Sequence, residues 1–223
     1  MHTRLANLFA ALVCVMMLAA LAAVFLYVPT EQQMGPVQRI FYFHVPSAIC
    51  SFVAFLLVFV GSTAYLKTRK ERWDRLARCA AELGVMYALI VLITGPLWAR
   101  PIWGVYWRWE PRLTSMLILF SMYTSYLMVR RFGAQTARTP QLAAVLGVLA
   151  FANVPLVYYS VNLWAADQQL HPQRVSLAPA MQLTLCVCLV AFLLLFAFLL
   201  QRRLALAEAE AEVAMLRQQL PES

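Results

Sequence analysis

The side chains best suited to chemistry are two histidines and a crowd of aromatic and charged residues between them. His44 sits in GPVQRIFYFHVPSA and His171 in NLWAADQQLHPQRVS. Between them runs WGVYWRWEPR, residues 103–112, in which Trp103, Tyr106, Trp107 and Trp109 alternate with Arg108, Glu110 and Arg112. Arg100 lies just upstream, and the third histidine, His2, stands apart in the N-terminal tail. Imidazole nitrogens ligate transition metals. Indole faces cover flat apolar rings by offset stacking, and guanidinium groups pair with carboxylates through a bidentate fork. Whether these residues can act together depends on the elements that carry them.

Those elements read as membrane helices. Of 223 residues, 63% are hydrophobic and only 13% charged. The mean hydropathy is +0.70, far from the balance of a soluble domain. A membrane helix needs about 20 apolar residues, and six runs qualify, at approximately 5–28, 48–66, 76–98, 113–129, 142–161 and 179–200. The first has the position and basic start of a signal peptide. Its apolar stretch is too long for one and no small-residue cleavage site follows it, so it reads as a retained helix.

Orientation follows from charge. Arg4, Lys67, Arg69, Lys70, Arg72, Arg75, Arg78, Arg130, Arg131, Arg138, Arg202, Arg203 and Arg217 all fall on one side, thirteen of the 18 basic residues. By the positive-inside rule that side is cytoplasmic. The expectation is an all-α integral membrane protein with six transmembrane helices, both termini cytoplasmic, and the Trp-rich loop outside between helices three and four. Residues 1–201 would form the transmembrane domain. Residues 202–223 would form a cytoplasmic helical tail, either a solvated extension of helix six or a dock for a partner.

On this topology His44, His171 and the Trp-rich loop share the outer face. Haem suits such a site. Its iron takes axial imidazoles, its macrocycle is flat and apolar, and its propionates are carboxylates that Arg100, Arg108 and Arg112 can pair with. The alternative for the aromatic loop is an interfacial belt, which suits Trp98 at the end of helix three. A belt, however, has no use for a glutamate and three arginines.

Other functions find less support. The net charge of +8 lies in short loops rather than in a basic patch, so nucleic acid is not indicated. Cys14, Cys50, Cys79, Cys186 and Cys188 form no C-x-x-C and read as small buried apolar residues, with Cys186 and Cys188 on different helix faces. A transmembrane electron carrier needs histidines at two depths, and none falls inside the apolar runs. A permease needs intramembrane ionisable groups. Glu82, close to the cytoplasmic end of helix three, is the one acidic candidate. Asn153 and Pro155 in helix five read as interhelical polar glue and a local loosening. No Walker-type phosphate loop is present.

WGVYWRWEPRLTS resembles the tryptophan-rich "WWD" signature of the haem-handling proteins of cytochrome c biogenesis. RIFYFHVPSA and NVPLVYYSVNLW are similar to segments of the CcmC branch (haem exporter protein C), in the same order, so that the likeness covers residues 36 to 175. The resemblance implies haem b displayed at the periplasmic side of the bacterial inner membrane. It implies His44 and His171 as axial ligands, and Trp103, Gly104, Trp107, Trp109, Glu110 and Arg112 around the porphyrin. Arg108 and Arg112 are candidate contacts to propionates or a partner. Implied partners are the haem chaperone CcmE, which takes the haem, the ABC transporter pair CcmA and CcmB, the small membrane protein CcmD, and membrane lipid. The implied role is presentation and transfer of haem rather than enzymatic catalysis. Two departures stand out: Glu110 occupies the usual aspartate position, and His171 comes three residues later than the family pattern. In a helix three residues are about 4.5 Å of rise, nearly one turn.

Overall fold

Within a bilayer no water satisfies backbone N–H and C=O groups, so apolar segments must bond internally as helices. A computed structural model describes residues 2–133, 138–163 and 177–219, and among them no strand forms. Helix α1 spans His2–Ala22 and ends in a π-helical turn, Ala23–Tyr27. A 3₁₀ turn over Pro36–Ile40 leads into α2, Phe41–Thr68. Then follow α3 (Glu71–Trp103), α4 (Pro111–Phe132), α5 (Thr139–Phe151), α6 (Asn153–Leu163) and α7 (Pro179–Gln219).

Among the described residues, five segments are long and apolar enough to cross a membrane: Arg4–Tyr27, Pro36–Thr68, Glu71–Trp103, Thr139–Ser160 and Pro179–Arg217. Helix α4 matches them in length with 22 residues but is more polar, carrying Thr114, Ser115, Ser121, Thr124 and Ser125. Most helices outrun the apolar runs that announce them. The second begins at Phe41 rather than near residue 48, so His44 lies inside α2 and not in a loop. That also places a histidine within a candidate span, against the expectation that none would fall there. The reason is local: Pro36 pre-sets the first turn, and the aromatic residues after it bury a face rather than facing water.

The fifth run is two helices. Pro155 offers no N–H and its ring crowds the carbonyl four residues back, that of Phe151, so the ladder breaks at Ala152. The Asn153 side-chain amide then donates to the Ser115 carbonyl at 2.8 Å, tying α6 to α4. Glue and break are both present.

Helices α2 and α3 form an antiparallel hairpin through Arg69, whose left-handed backbone (φ 57) lets its N–H reach the Tyr65 carbonyl at 2.8 Å. Small residues bring the two helices together. A Cβ on Gly61 would lie 2.9 Å from the Trp73 carbonyl oxygen, and one on Gly84 2.6 Å from Phe55 Cε1. Phe55 in turn stacks flat on Tyr123 of α4 at 3.8 Å, at the centre of the core that α2–α6 share. Helices α1 and α7 pack on α2 and on each other, and α7 also packs on α3, where Phe192 and Phe196 meet Tyr87. Cys50, Cys79 and Cys188 are buried in this packing, as expected. Cys14 and Cys186 are not: they are exposed on α1 and α7. Cys186 and Cys188 do occupy different faces.

The end of the bundle away from His44 is held by ion pairs. Arg130 grips Asp74 through two bonds of 2.7 and 2.5 Å. Glu82 pairs with Arg203 at 2.5 and 3.1 Å, which makes it a structural partner rather than a lone intramembrane acid. Helix α7 runs on without interruption to Gln219, and its extension packs back: Glu208 meets Arg75 at 3.0 Å and Glu210 meets Arg78 at 3.8 Å.

Candidate functional site

His44 stands one turn into α2 and is buried. Its Nδ1 lies 2.9 Å from the Thr94 hydroxyl of α3. The close packing of the hairpin makes this possible. A Cβ built on Gly95 would sit 3.5 Å from His44 Cε1, in ordinary van der Waals contact, so the imidazole edge faces α3 at this glycine. Trp98, one turn on from Thr94, meets the imidazole edge-to-face at 6.1 Å. One turn of α3 thus brings Thr94, Gly95 and Trp98 to the ring.

Trp98 is the hub of an aromatic group. It packs at 5.9 Å on Phe41 and at 6.3 Å on Trp103. Trp103 is the last residue of α3, so the loop proper runs only over 104–110. Gly104 closes the helix in a left-handed conformation (φ 75), with its N–H bonded to the Arg100 carbonyl at 3.0 Å. Within the loop Trp107 meets Trp109 edge-to-face at 5.7 Å. Trp109 is 77% exposed, whereas Glu110 is 4% exposed and forms the N-cap position of α4.

The cations divide by role. Arg100 bonds the Gly104 carbonyl and lies 5.5 Å over the Tyr106 ring, so it caps α3 instead of reaching for a ligand. Arg108 is exposed, and Arg112 is half-buried within electrostatic range of Glu110 and of Tyr158 on α6. Arg39, on the turn before α2, lies 5.9 Å from the centre of the Phe25 ring. Four buried donors at this end have no hydrogen-bond partner among the described residues: Arg39 Nε, Trp98 Nε1, Trp107 Nε1 and the Thr114 hydroxyl. Buried orphaned donors are costly, and a ligand bearing acceptor oxygens would relieve them.

Of the residues anticipated from sequence, the described contacts bring His44 and Trp103 together through Trp98. Trp107 and Trp109 form their own pair, and Glu110 with Arg112 forms a charged corner. His171 lies outside the described residues. Trp98, set down as a belt residue, contacts the imidazole directly. Hydropathy and motif spacing do not single out Thr94 and Gly95, whose one sequence signal is a polar Thr-Gly-Pro step inside an otherwise apolar run. No three His, Cys, Asp or Glu side chains converge as a bare-metal site among the described residues.

The fold and site define a class, a helical membrane protein that offers a buried imidazole, indole faces and guanidinium groups at one end of its bundle. The family model described as Heme exporter protein C (CcmC) matches residues 1–219, and the chain belongs to that family. It is 37% identical over 136 residues to the Heme exporter protein C of Bradyrhizobium diazoefficiens, covering 61% of this chain and 52% of that protein. It is 30% identical over 160 residues to the Heme exporter protein C of Escherichia coli, covering 71% and 65%. It is similar as well to a ccmC-like mitochondrial protein of cytochrome c biosynthesis from Marchantia polymorpha, 34% identical over 136 residues, 61% and 57%. The chain therefore spans between half and two thirds of the length of these relatives.

Proposed function

We propose that this protein holds haem b at the periplasmic face of the bacterial inner membrane and delivers it to the haem chaperone CcmE during maturation of c-type cytochromes. Family membership supports the haem-handling role. The observation that carries the reading is the His44 imidazole, buried between Thr94, Gly95 and Trp98 at the end of the bundle where the Trp-rich loop closes.

The residues fit the group. An iron already held by a macrocycle needs only axial donors from the protein, and His44 offers a buried imidazole. Trp98, Trp103, Trp107 and Trp109 offer flat apolar faces. The orphaned donors of Arg39, Trp98, Trp107 and Thr114 suit carboxylate oxygens such as those of propionates. His44 would supply one axial nitrogen and His171 the other. Bound haem would supply the iron porphyrin that the chaperone receives. The chain itself would bind and orient it through these side chains. In this reading the protein is a presenting factor and not an enzyme. CcmA, CcmB and CcmD are its expected partners, and the arginine-rich end that carries Asp74 faces the cytoplasm.

The test is purification in detergent, with haem read as the reduced pyridine complex. A b-type spectrum that is lost in His44→Ala is expected. A folded wild-type protein that takes up no haem when supplied with it would overturn the reading.

A further inference from the structure

We propose that Thr94 is the positioning residue that sets the tautomer of His44 and thereby aims its Nε2 at the ligand. The inference rests on the haem reading of this site for its consequence, though not for its geometry.

A threonine hydroxyl has one hydrogen to give. The Thr94 hydroxyl gives it to the Ile90 carbonyl, 2.7 Å away and one turn back on α3, with the Val91 carbonyl at 3.4 Å. Its oxygen faces His44 Nδ1 at 2.9 Å with only lone pairs left to offer. That contact is a hydrogen bond only if Nδ1 is the donor. A neutral imidazole carries a single N–H, so the proton on Nδ1 puts the ligating lone pair on Nε2. The same turn of α3 faces the ring elsewhere: the Cε1 edge lies towards Gly95, and Trp98 meets the ring edge-on at 6.1 Å.

A metal-bound histidine generally donates its second N–H to a fixed acceptor, which orients the ring and raises its basicity. A hydroxyl is a neutral acceptor and a weaker one than a carboxylate. It leaves His44 an imidazole rather than an imidazolate, a ligand that binds iron and can release it. That property suits a protein whose cargo must leave.

Two measurements separate the tautomer from the haem. In protein labelled with ¹⁵N-histidine and free of haem, His44, identified by its loss in His44→Ala, should show the Nδ1–H form. Thr94→Val, which keeps the shape but not the acceptor, should lose that preference, and Thr94→Ser should restore it. In haem-loaded protein, Thr94→Val should weaken retention by roughly 10- to 100-fold, the range for such supporting bonds, and should shift the electron paramagnetic resonance of the low-spin iron. Thr94→Ser should return both readings towards wild type. If Thr94→Val does not fold, the Nδ1–H signal of the wild type and the behaviour of Thr94→Ser decide. A wild-type His44 in the Nε2–H form, or a folded Thr94→Val with unchanged tautomer and haem retention, overturns the proposal. Loss of the haem reading alone would appear differently, as His44→Ala retaining a wild-type haem spectrum while the tautomer stands.

Discussion

At the scale of single residues, burial separates tryptophans that look alike in sequence. Trp98 packs on His44, Phe41 and Trp103, whereas Trp109 is 77% exposed and touches Trp107. Trp98→Ala should therefore destabilise the protein by about 3 kcal/mol, the lower end for truncating a packed aromatic, and should loosen haem with it. Trp109→Ala should change stability by less than about 0.5 kcal/mol, as surface substitutions do, while slowing transfer to the chaperone. Thermal unfolding in detergent and a haem-transfer assay read the two effects. Equal destabilisation by both would mean that the exposed indole is not a presenting surface. Glu110 adds a contrast: Arg108 and Trp109 just before it are exposed, yet it is buried where α4 begins.

At the scale of elements, the α2–α3 hairpin positions the site, and its close approach depends on missing side chains. Gly84→Val would drive a Cβ into Phe55, fully buried and stacked on Tyr123, and should cost about 1–3 kcal/mol by overpacking. Because Thr94 lies ten residues further along the same helix, displacing α3 at Gly84 should also weaken haem retention. A destabilised variant with normal haem affinity would show that the two ends of the hairpin are uncoupled. The α5–α6 break yields a smaller effect. Asn153→Leu removes the donor to the Ser115 carbonyl, and interhelical bonds in membranes average about 0.6 kcal/mol with a maximum near 1.7. A thermal shift within that range is expected, and a larger one would assign Asn153 a further role.

At the scale of the whole molecule, the two ends of the bundle have different chemistry. One carries the imidazole, indoles and orphaned donors. The other is closed by paired charges, Asp74 with Arg130 and Glu82 with Arg203, beside which the straight extension of α7 pairs with α3 through Glu208 and Glu210. The Asp74 and Arg130 side chains are only 17% and 13% exposed. Removing one partner strands a buried charge, so Asp74→Ala should cost about 3–5 kcal/mol. The double variant Asp74→Ala/Arg130→Met should recover most of that loss. A double-mutant cycle on unfolding midpoints measures it, and additive single effects would deny the pairing. Haem binding at the far end should survive the double variant.

Much of this protein could be read directly from its sequence. The length and count of the apolar runs announced membrane helices, because the hydrocarbon thickness sets a minimum span that local composition alone must meet. The density of aromatic and arginine residues around 103–112 and the position of His44 marked the end of the molecule that matters. Tertiary structure alone decided which helix wall holds the imidazole. Thr94 is fifty residues from His44 and Gly95 one further, and the Thr-Gly-Pro step that holds them does not say which helix they face. It also decided where helices end, because polar and aromatic residues at the ends of α2 and α3 stay helical once their faces are buried. Hydropathy follows one chain segment at a time, whereas the register of two packed helices is set by side-chain volumes and by hydroxyl geometry across the interface.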